Sequence, residues 1–258
     1  AIHTLFAQQC SQQMVYRAVR VEPGGFARAA GNFFADGGLG LNVTLPFKRD
    51  AFEFADRLSE RASLAGAVNT LSRLEDGVIE GDNTDGIGLL RDLTVNLGWP
   101  VQGLRVLLIG AGGAARGVLA PLLQERPQLL VIVNRTAGRA QQLAREFAKL
   151  GPIEGGGCDI VGARQFDLVI NASSAGLSGA APELPGSLLT ERSCCYDMVY
   201  GTEPTPFMRW SAHHAAWAVS DGLGMLVEQA AESFFIWRKV RPDTREVILR
   251  LREEMAAA

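Results

Sequence analysis

The sequence predicts an α/β protein of two lobes, one of them built on a doubly wound parallel sheet, and three observations carry that prediction. From Arg105 onward, short apolar runs alternate with helix-length segments, the pattern of right-handed βαβ crossovers. The first of those runs ends in a glycine-rich turn, Gly110-Ala111-Gly112-Gly113-Ala114-Ala115, which leads straight into a helical segment. Ahead of it, residues 1–85 carry a mixed helix and strand pattern of their own, and the tail from Met225 to Met255 reads as two helices joined near Pro242.

Taken in order, the chain opens Ala1-Ile2-His3-Thr4 inside an amphipathic helix pattern. Tyr16 to Val21 reads as a strand, Phe26 to Phe34 as a helix ended by Gly37-Gly38, and Leu39 to Thr44 as a short buried strand stopped by Pro46. Ala51 to Ala62 reads as one helix. Ala67 to Leu74 reads as a strand that turns at Glu75-Asp76-Gly77 into Val78-Ile79-Glu80. A helix from Gly86 through Leu97 leads to Arg105–Ile109, a run with the look of a fully buried parallel strand. A helix to Gln124, a strand Leu129–Val133 and a helix Arg139–Leu150 follow. The remaining strand candidates are Phe166–Ile170, Cys194–Met198 and the short Ala216–Val219.

Bulk composition narrows the function classes. Hydrophobic residues make up 47% and charged residues 21% of 258, the balance of a globular protein. A net charge of -3 provides no field to draw nucleic acid or an anionic membrane. The apolar stretch Val106–Leu123 is interrupted by Arg116 and crowded with glycine, so it is no membrane span. The four cysteines form no Cys-x-x-Cys pair and there are only three histidines, so no metal site is expected and a reducing cytoplasm is the default location.

The glycine turn points to a dinucleotide. In Gly-x-Gly-x-x-Ala, Gly110 permits the tight turn, Gly112 lets backbone approach a pyrophosphate, and Ala115 keeps the helix close to the strand. The helix N-terminus then offers its N–H groups to the phosphates. NAD sites usually place a carboxylate about 20 positions after the turn, on the ribose hydroxyls. Here the second strand ends in Asn134-Arg135-Thr136, with Arg139 just beyond, and no acidic residue stands there. Two guanidiniums and a hydroxyl suit a 2′-phosphate, so the expected cofactor is NADP.

Upstream, Lys48 follows a proline-ended strand and Asp85 follows a turn, positions that suit side chains at the edge of a cleft. A lysine whose pKa is lowered by burial can act as general acid or base, and a carboxylate can orient it. On its own Lys48 reads sooner as a surface lysine and Asp85 as a turn or helix cap, and spacing does not show that they meet. Asn69-Thr70 and Gln229 are polar groups in apolar surroundings, suited either to substrate hydroxyls or to internal hydrogen bonds.

Seven motifs in order resemble the shikimate dehydrogenase family over essentially the full length: Asn42 to Lys48, Gly66 to Thr70, Gly81 to Gly86, Gly110 to Ala114, Asn134 to Thr136, Tyr196 to Tyr200 and Asp221 to Leu226. The likeness is closest to the bacterial biosynthetic branch, which reduces 3-dehydroshikimate to shikimate with NADPH in aromatic amino-acid biosynthesis. The resemblance implies a catalytic acid/base at Lys48 with Asp85 as its partner. It implies substrate contacts at Thr44, Asn69, Tyr200 and Gln229. The cofactor side falls on Gly110, Ala111, Gly112, Gly113, Ala114, Asn134, Arg135, Thr136, Arg139, Met198 and Gly222. It further implies two domains: residues 1–85 with 223–258 as an N-terminal α/β substrate domain completed by the C-terminal helices, and residues 86–222 as an inserted Rossmann domain. A monomer or homodimer is expected, with a small-molecule substrate and no metal.

One departure stands out. The family carries a Ser-x-Ser segment, which binds the substrate carboxylate, shortly before the Ile-His of its first helix, and this sequence opens at Ala1-Ile2-His3 without it. A protein starting at Ala1 is expected to bind substrate weakly in a steady-state assay and to bind cofactor largely intact. Three other readings compete. A quinate/shikimate dehydrogenase tolerant of NAD is disfavoured by Arg135 and Arg139. A silent sensor of NADP or shikimate has no need of both Lys48 and Asp85. A folate-linked dehydrogenase of similar plan leaves the full motif set unexplained.

Overall fold

The structure, a computed structural model, describes residues 2–173 and 184–257. The first lobe opens with α1 (Ile2–Gln9) and α2 (Phe26–Ala35), followed by β1 (Gly40–Asn42), α3 (Lys48–Phe54), β2 (Arg57–Leu58), α4 (Glu60–Ala65), β3 (Thr70–Arg73) and β4 (Ile79–Asp82). Its four-stranded sheet has the order β1-β3-β4-β2, antiparallel except for the β2/β4 pair. Phe26, Phe34, Val43, Leu71 and Ile79 form the core beneath that sheet.

Two expectations fail in this lobe. Residues 16–21 form no strand: they pair with no strand among the described residues, and Val15 and Val19 stand in solvent. A segment rich in strand-forming residues makes a strand only where a neighbouring strand completes it. The single helix expected over 51–62 is two, because β4 draws the middle into the sheet. Asp56 N–H donates to Ile79 O at 2.9 Å, Ile79 N–H donates to Asp56 Oδ2 at 2.8 Å, and Ser59 N–H donates to Gly81 O at 2.9 Å. Ser59 then restarts the helix as an N-cap, its hydroxyl accepting from Ala62 N–H at 3.1 Å.

The second lobe follows from α5 (Asp85–Arg91), which passes into a π turn over Asp92–Asn96. Then come β5 (Arg105–Ile109), α6 (Gly113–Gln124), β6 (Leu129–Val133), α7 (Ala137–Phe147), β7 (Ile153–Gly156), β8 (Leu168–Asn171), β9 (Cys194–Asp197), α8 (Pro206–His213) and β10 (Ala218–Ser220). All its strands are parallel, in the order β7-β6-β5-β8-β9-β10. That is the doubly wound Rossmann arrangement, with the strand order reversing between β5 and β8, where ligands bind beyond the carboxyl ends of the strands. Both faces are covered. Val106 and Leu108 enter one core with Val118, Leu119 and Ile132, while Leu107 and Ile109 enter the other with Val131, Val133 and Val169. The sequence carries little signal for β7, Ile-Glu-Gly-Gly. Its Gly155 lies under α7, where a Cβ would collide with Ala140 O, and the strand is held by its ladder to β6.

The chain returns through α9 (Leu223–Arg238) and α10 (Arg245–Ala256). α9 packs on α1 and α10 through Phe6, Val227, Ala231, Phe234 and Val247, and along α5, where a Cβ on Gly88 would lie 2.7 Å from Gln229 Cβ. A charged staple ties α9 to the small sheet. Arg61 donates to Asp82 Oδ2 at 2.5 Å and Oδ1 at 3.1 Å, and to Glu232 Oε1 at 3.0 Å, while Arg241 also pairs with Glu232.

Candidate active site

Lys48 and Asp85 are the first residues of α3 and α5, and the fold brings them together: Lys48 Nζ donates to Asp85 Oδ2 at 2.6 Å. Their side chains keep 26% and 14% of their accessibility, so the lysine is partly open while the carboxylate is mostly covered. Each is held from behind. Lys48 O accepts Val68 N–H at 2.9 Å, and Asp85 N–H donates to Asn83 Oδ1 at 3.1 Å.

Asn69 fixes the other carboxylate oxygen, donating from Nδ2 to Asp85 Oδ1 at 2.9 Å. Its amide orientation is set by its own partners. Asn69 Oδ1 accepts Thr84 N–H at 2.9 Å and Thr70 Oγ1–H at 2.9 Å, so only the NH2 side can face Asp85. Gln229, on α9, stands at the edge of this cluster with Oε1 3.4 Å from both Asn69 Nδ2 and Thr84 Oγ1. Ser233, one turn further along α9, joins Asn42, at 2.9 Å, to Thr70, at 2.8 Å. Thr44 lies exposed in the turn before Lys48, its carbonyl accepting Phe47 N–H at 3.0 Å.

The helix that follows the glycine turn lies against Asp85. A Cβ on Gly117, in α6, would sit 3.8 Å from Asp85 Oδ2, and one on Gly86 would sit 2.6 Å from Gly117 O. The helix that follows the glycine turn thus rests on Asp85 and Gly86. Gly110 adopts φ +110°, a backbone that disfavours other residues, beside the Ala172–Ser173 peptide at the end of β8. Space is open where a Cβ would project from Gly112 or Gly113, and no side chain among the described residues caps α6. Its first-turn N–H groups are thus free for an anion. At the end of the neighbouring strand β6, Arg135 and Arg139 are exposed and make no ion pair among the described residues, and Asn134 Nδ2 donates to Thr136 O at 3.0 Å to shape the turn. An open pyrophosphate cradle beside two uncommitted guanidiniums fits a 2′-phosphorylated dinucleotide.

Met198 and Gly222 also meet: a Cβ on Gly222 would collide with Met198 O. The turn carrying Met198 is anchored by Asp197, which accepts from Thr205 Oγ1 at 2.5 Å, Asn171 Nδ2 at 3.1 Å and Val199 N–H at 3.1 Å. Burial pushes the Asp197 carboxyl above the usual carboxylate range, against the pull of those bonds. Tyr200, just beyond, is 43% exposed and not bonded to the Lys48 cluster. Sequence reasoning passed over Asn83, Thr84, Asp197 and Ser233 as supports. Asn83 was legible as an Asx turn ahead of Thr84-Asp85, whereas Ser233 becomes visible only when α9 packs on the small sheet.

No helix among the described residues is long and apolar enough to cross a membrane. The profile of the shikimate dehydrogenase substrate-binding domain matches residues 1–71, that of shikimate/quinate 5-dehydrogenase residues 95–176, and that of the shikimate 5′-dehydrogenase C-terminal domain residues 222–250. A shikimate dehydrogenase (NADP(+)) of Saccharophagus degradans is 52% identical, over 98% of this chain and 93% of that protein. The crystal structure of an Ael1 enzyme from Pseudomonas putida, 47% identical, superposes with a TM-score of 0.91 over 97% of this chain and 92% of that one. That of a Thermus thermophilus shikimate 5-dehydrogenase in complex with NADP(H) and shikimate, 30% identical, gives 0.86 over 98% and 92%. By sequence over nearly its whole length and by its fold, the chain belongs to the shikimate dehydrogenase family of NADP-dependent oxidoreductases.

Proposed function

We propose that the cleft between the lobes reversibly reduces 3-dehydroshikimate to shikimate with NADPH, Lys48 moving the proton and Asp85 holding Lys48. The observation that carries the reading is the 2.6 Å Lys48–Asp85 contact, whose Asp85 lies against the helix that follows the glycine turn. Residues 1–85 and 223–258 act as the substrate domain and residues 86–222 as the cofactor domain, in the cytoplasm, as a monomer or homodimer.

NADPH, when bound, supplies the hydride. As charge builds on the carbonyl oxygen, the Lys48 ammonium stabilises it and donates a proton; in the reverse direction the amine takes the proton back. Asp85 orients the ammonium, and Asn69 orients Asp85 through the other oxygen. Thr44, Asn69, Tyr200 and Gln229 line the substrate side. Gly110 to Ala114 receive the pyrophosphate, Asn134 to Thr136 with Arg139 the 2′-phosphate, and Met198 with Gly222 the nicotinamide end. NADPH oxidation on adding 3-dehydroshikimate tests the reading, and no turnover with either cofactor overturns it.

The guanidiniums make a separate prediction. Arg135→Ala or Arg139→Ala should raise the KM for NADPH by roughly 10-fold or more, the worth of one charged hydrogen bond. The KM for NADH should barely move. Equal shifts for the two cofactors would remove these arginines from 2′-phosphate recognition.

A further inference from the structure

Two passages of chain join the lobes, and they meet at a carboxylate held by one phenol. The outgoing passage is α5, which starts at Asp85 in the cleft and opens at Asp92 into the π turn. The returning passage enters α9 through Asp221-Gly222-Leu223. Tyr196, on β9, lies wholly buried between them. Its hydroxyl donates to Asp92 Oδ2 at 2.6 Å, and its ring shares a core with Met225 in the first turn of α9. Asp92 Oδ1 is held by Asn96 Nδ2 at 2.9 Å, within the same π turn. Asn96 continues to Glu228 at 3.1 Å, which also accepts from Arg91 at 2.8 Å and Thr244 at 2.5 Å. Gly224 faces the Asp92 carboxylate so closely that a Cβ there would collide with it.

The placement couples the two halves of the cleft. Asp92 stands at the far end of the helix that begins with Asp85. Tyr196 stands just before the Asp197–Tyr200 turn, whose Met198 carbonyl is covered by Gly222. A π turn is rare and concentrates at functional positions. This one presents its first residue to the strand that carries the cofactor-side turn.

The geometry points to Tyr196 as a positioning residue for hydride transfer: its hydroxyl, bonded to the Asp92 carboxylate that packs against Gly224 of α9, sets the orientation of the dinucleotide lobe relative to the Lys48–Asp85 pair. This role rests on the reduction proposed above. Hydride transfer is sensitive to such alignment, since a misplacement of about 1 Å can cost on the order of 100-fold in rate.

Tyr196→Phe removes one oxygen and keeps the ring; Gly224→Ala displaces Asp92 from the opposite side. Both should lower kcat by about 10-fold while the KM values for NADPH and 3-dehydroshikimate move less than about 3-fold. The isotope effect on kcat, measured with NADPH deuterated at the transferred position, should rise above that of the wild type. In the ligand-free proteins, amide exchange should quicken across residues 92–96, 198–200 and 222–226, while β5 and β6 stay protected. A folded Tyr196→Phe protein with wild-type kcat and isotope effect overturns the role. So does a kcat loss matched by the active fraction, with a wild-type isotope effect and uniform exchange. Should Gly224→Ala fail to fold, Tyr196→Phe decides alone. With wild-type protein inactive toward 3-dehydroshikimate, the reduction itself falls, and the exchange measurement still decides whether the phenol pins the lobes.

Discussion

Lys48→Ala is expected to lower kcat for NADPH-dependent reduction of 3-dehydroshikimate by a factor on the order of 10² to 10⁴, the usual worth of a positioned general acid. The KM for the substrate should change far less, because the ammonium matters most when charge has built on the carbonyl oxygen. The fold should survive the change. Lys48 begins a short helix, its side chain is partly open, and its bonded partner, Asp85, keeps the Asn69 amide on its other oxygen. Steady-state kinetics with a circular dichroism control separate the two effects. A folded variant with wild-type kcat would take the lysine out of the chemistry.

The second large effect is on stability. Arg61 is the cation that bridges Asp82 on the sheet and Glu232 on α9, and both carboxylates are mostly buried, at 13% and 10% side-chain exposure. Removing one partner of such a pair strands a charge in low dielectric. Arg61 keeps 33% of its side chain accessible and Glu232 retains Arg241, so the loss for Arg61→Ala should be about 2–3 kcal/mol, below the range for a fully buried pair. Urea unfolding measures it, and a loss under about 0.5 kcal/mol would reduce the staple to an ordinary surface pair.

Acid titration provides a signature for the same contact. Burial raises the Asp82 carboxyl, but the hydrogen bond and charge of Arg61, with help from Ser59 and the Asn83 N–H, more than offset that and leave it below its ordinary value. A depressed folded pKa adds stability that is complete above the unfolded value, near ~4, and is lost as pH falls through the folded value. Wild-type protein should therefore lose this contribution below about pH 4, and Arg61→Ala should flatten that part of the profile.

Much of the fold was legible in the residues because the physics there is local. Arg105–Ile109 and Leu129–Val133 are unbroken apolar runs, which only a sheet covered on both faces accommodates. Gly110 had to be glycine for its φ of +110°, and the absence of a carboxylate after Val133 was a fact of composition at a known offset. Where the reading failed, the deciding partner lay elsewhere in the chain. Tyr16–Val21 has a strand's pattern and no described strand beside it. Ala51–Ala62 has a helix's pattern, but β4 bonds to its middle and breaks it in two. β7 has almost no pattern and exists because β6 offers it an edge.

The site divides along the same line. Residue types and order alone determined the family, the cofactor class and the identities of Lys48 and Asp85 as the pair to examine. Only the tertiary structure decided that the two touch, that Asn69 turns its NH2 toward Asp85, and that α6 rests against Asp85. It alone placed Tyr196 where both crossings between the lobes meet. Periodicity and turn chemistry act over a few residues and are written in neighbouring positions. A hydrogen bond between residues 37 or 104 positions apart depends on how whole elements pack, and no local pattern encodes it.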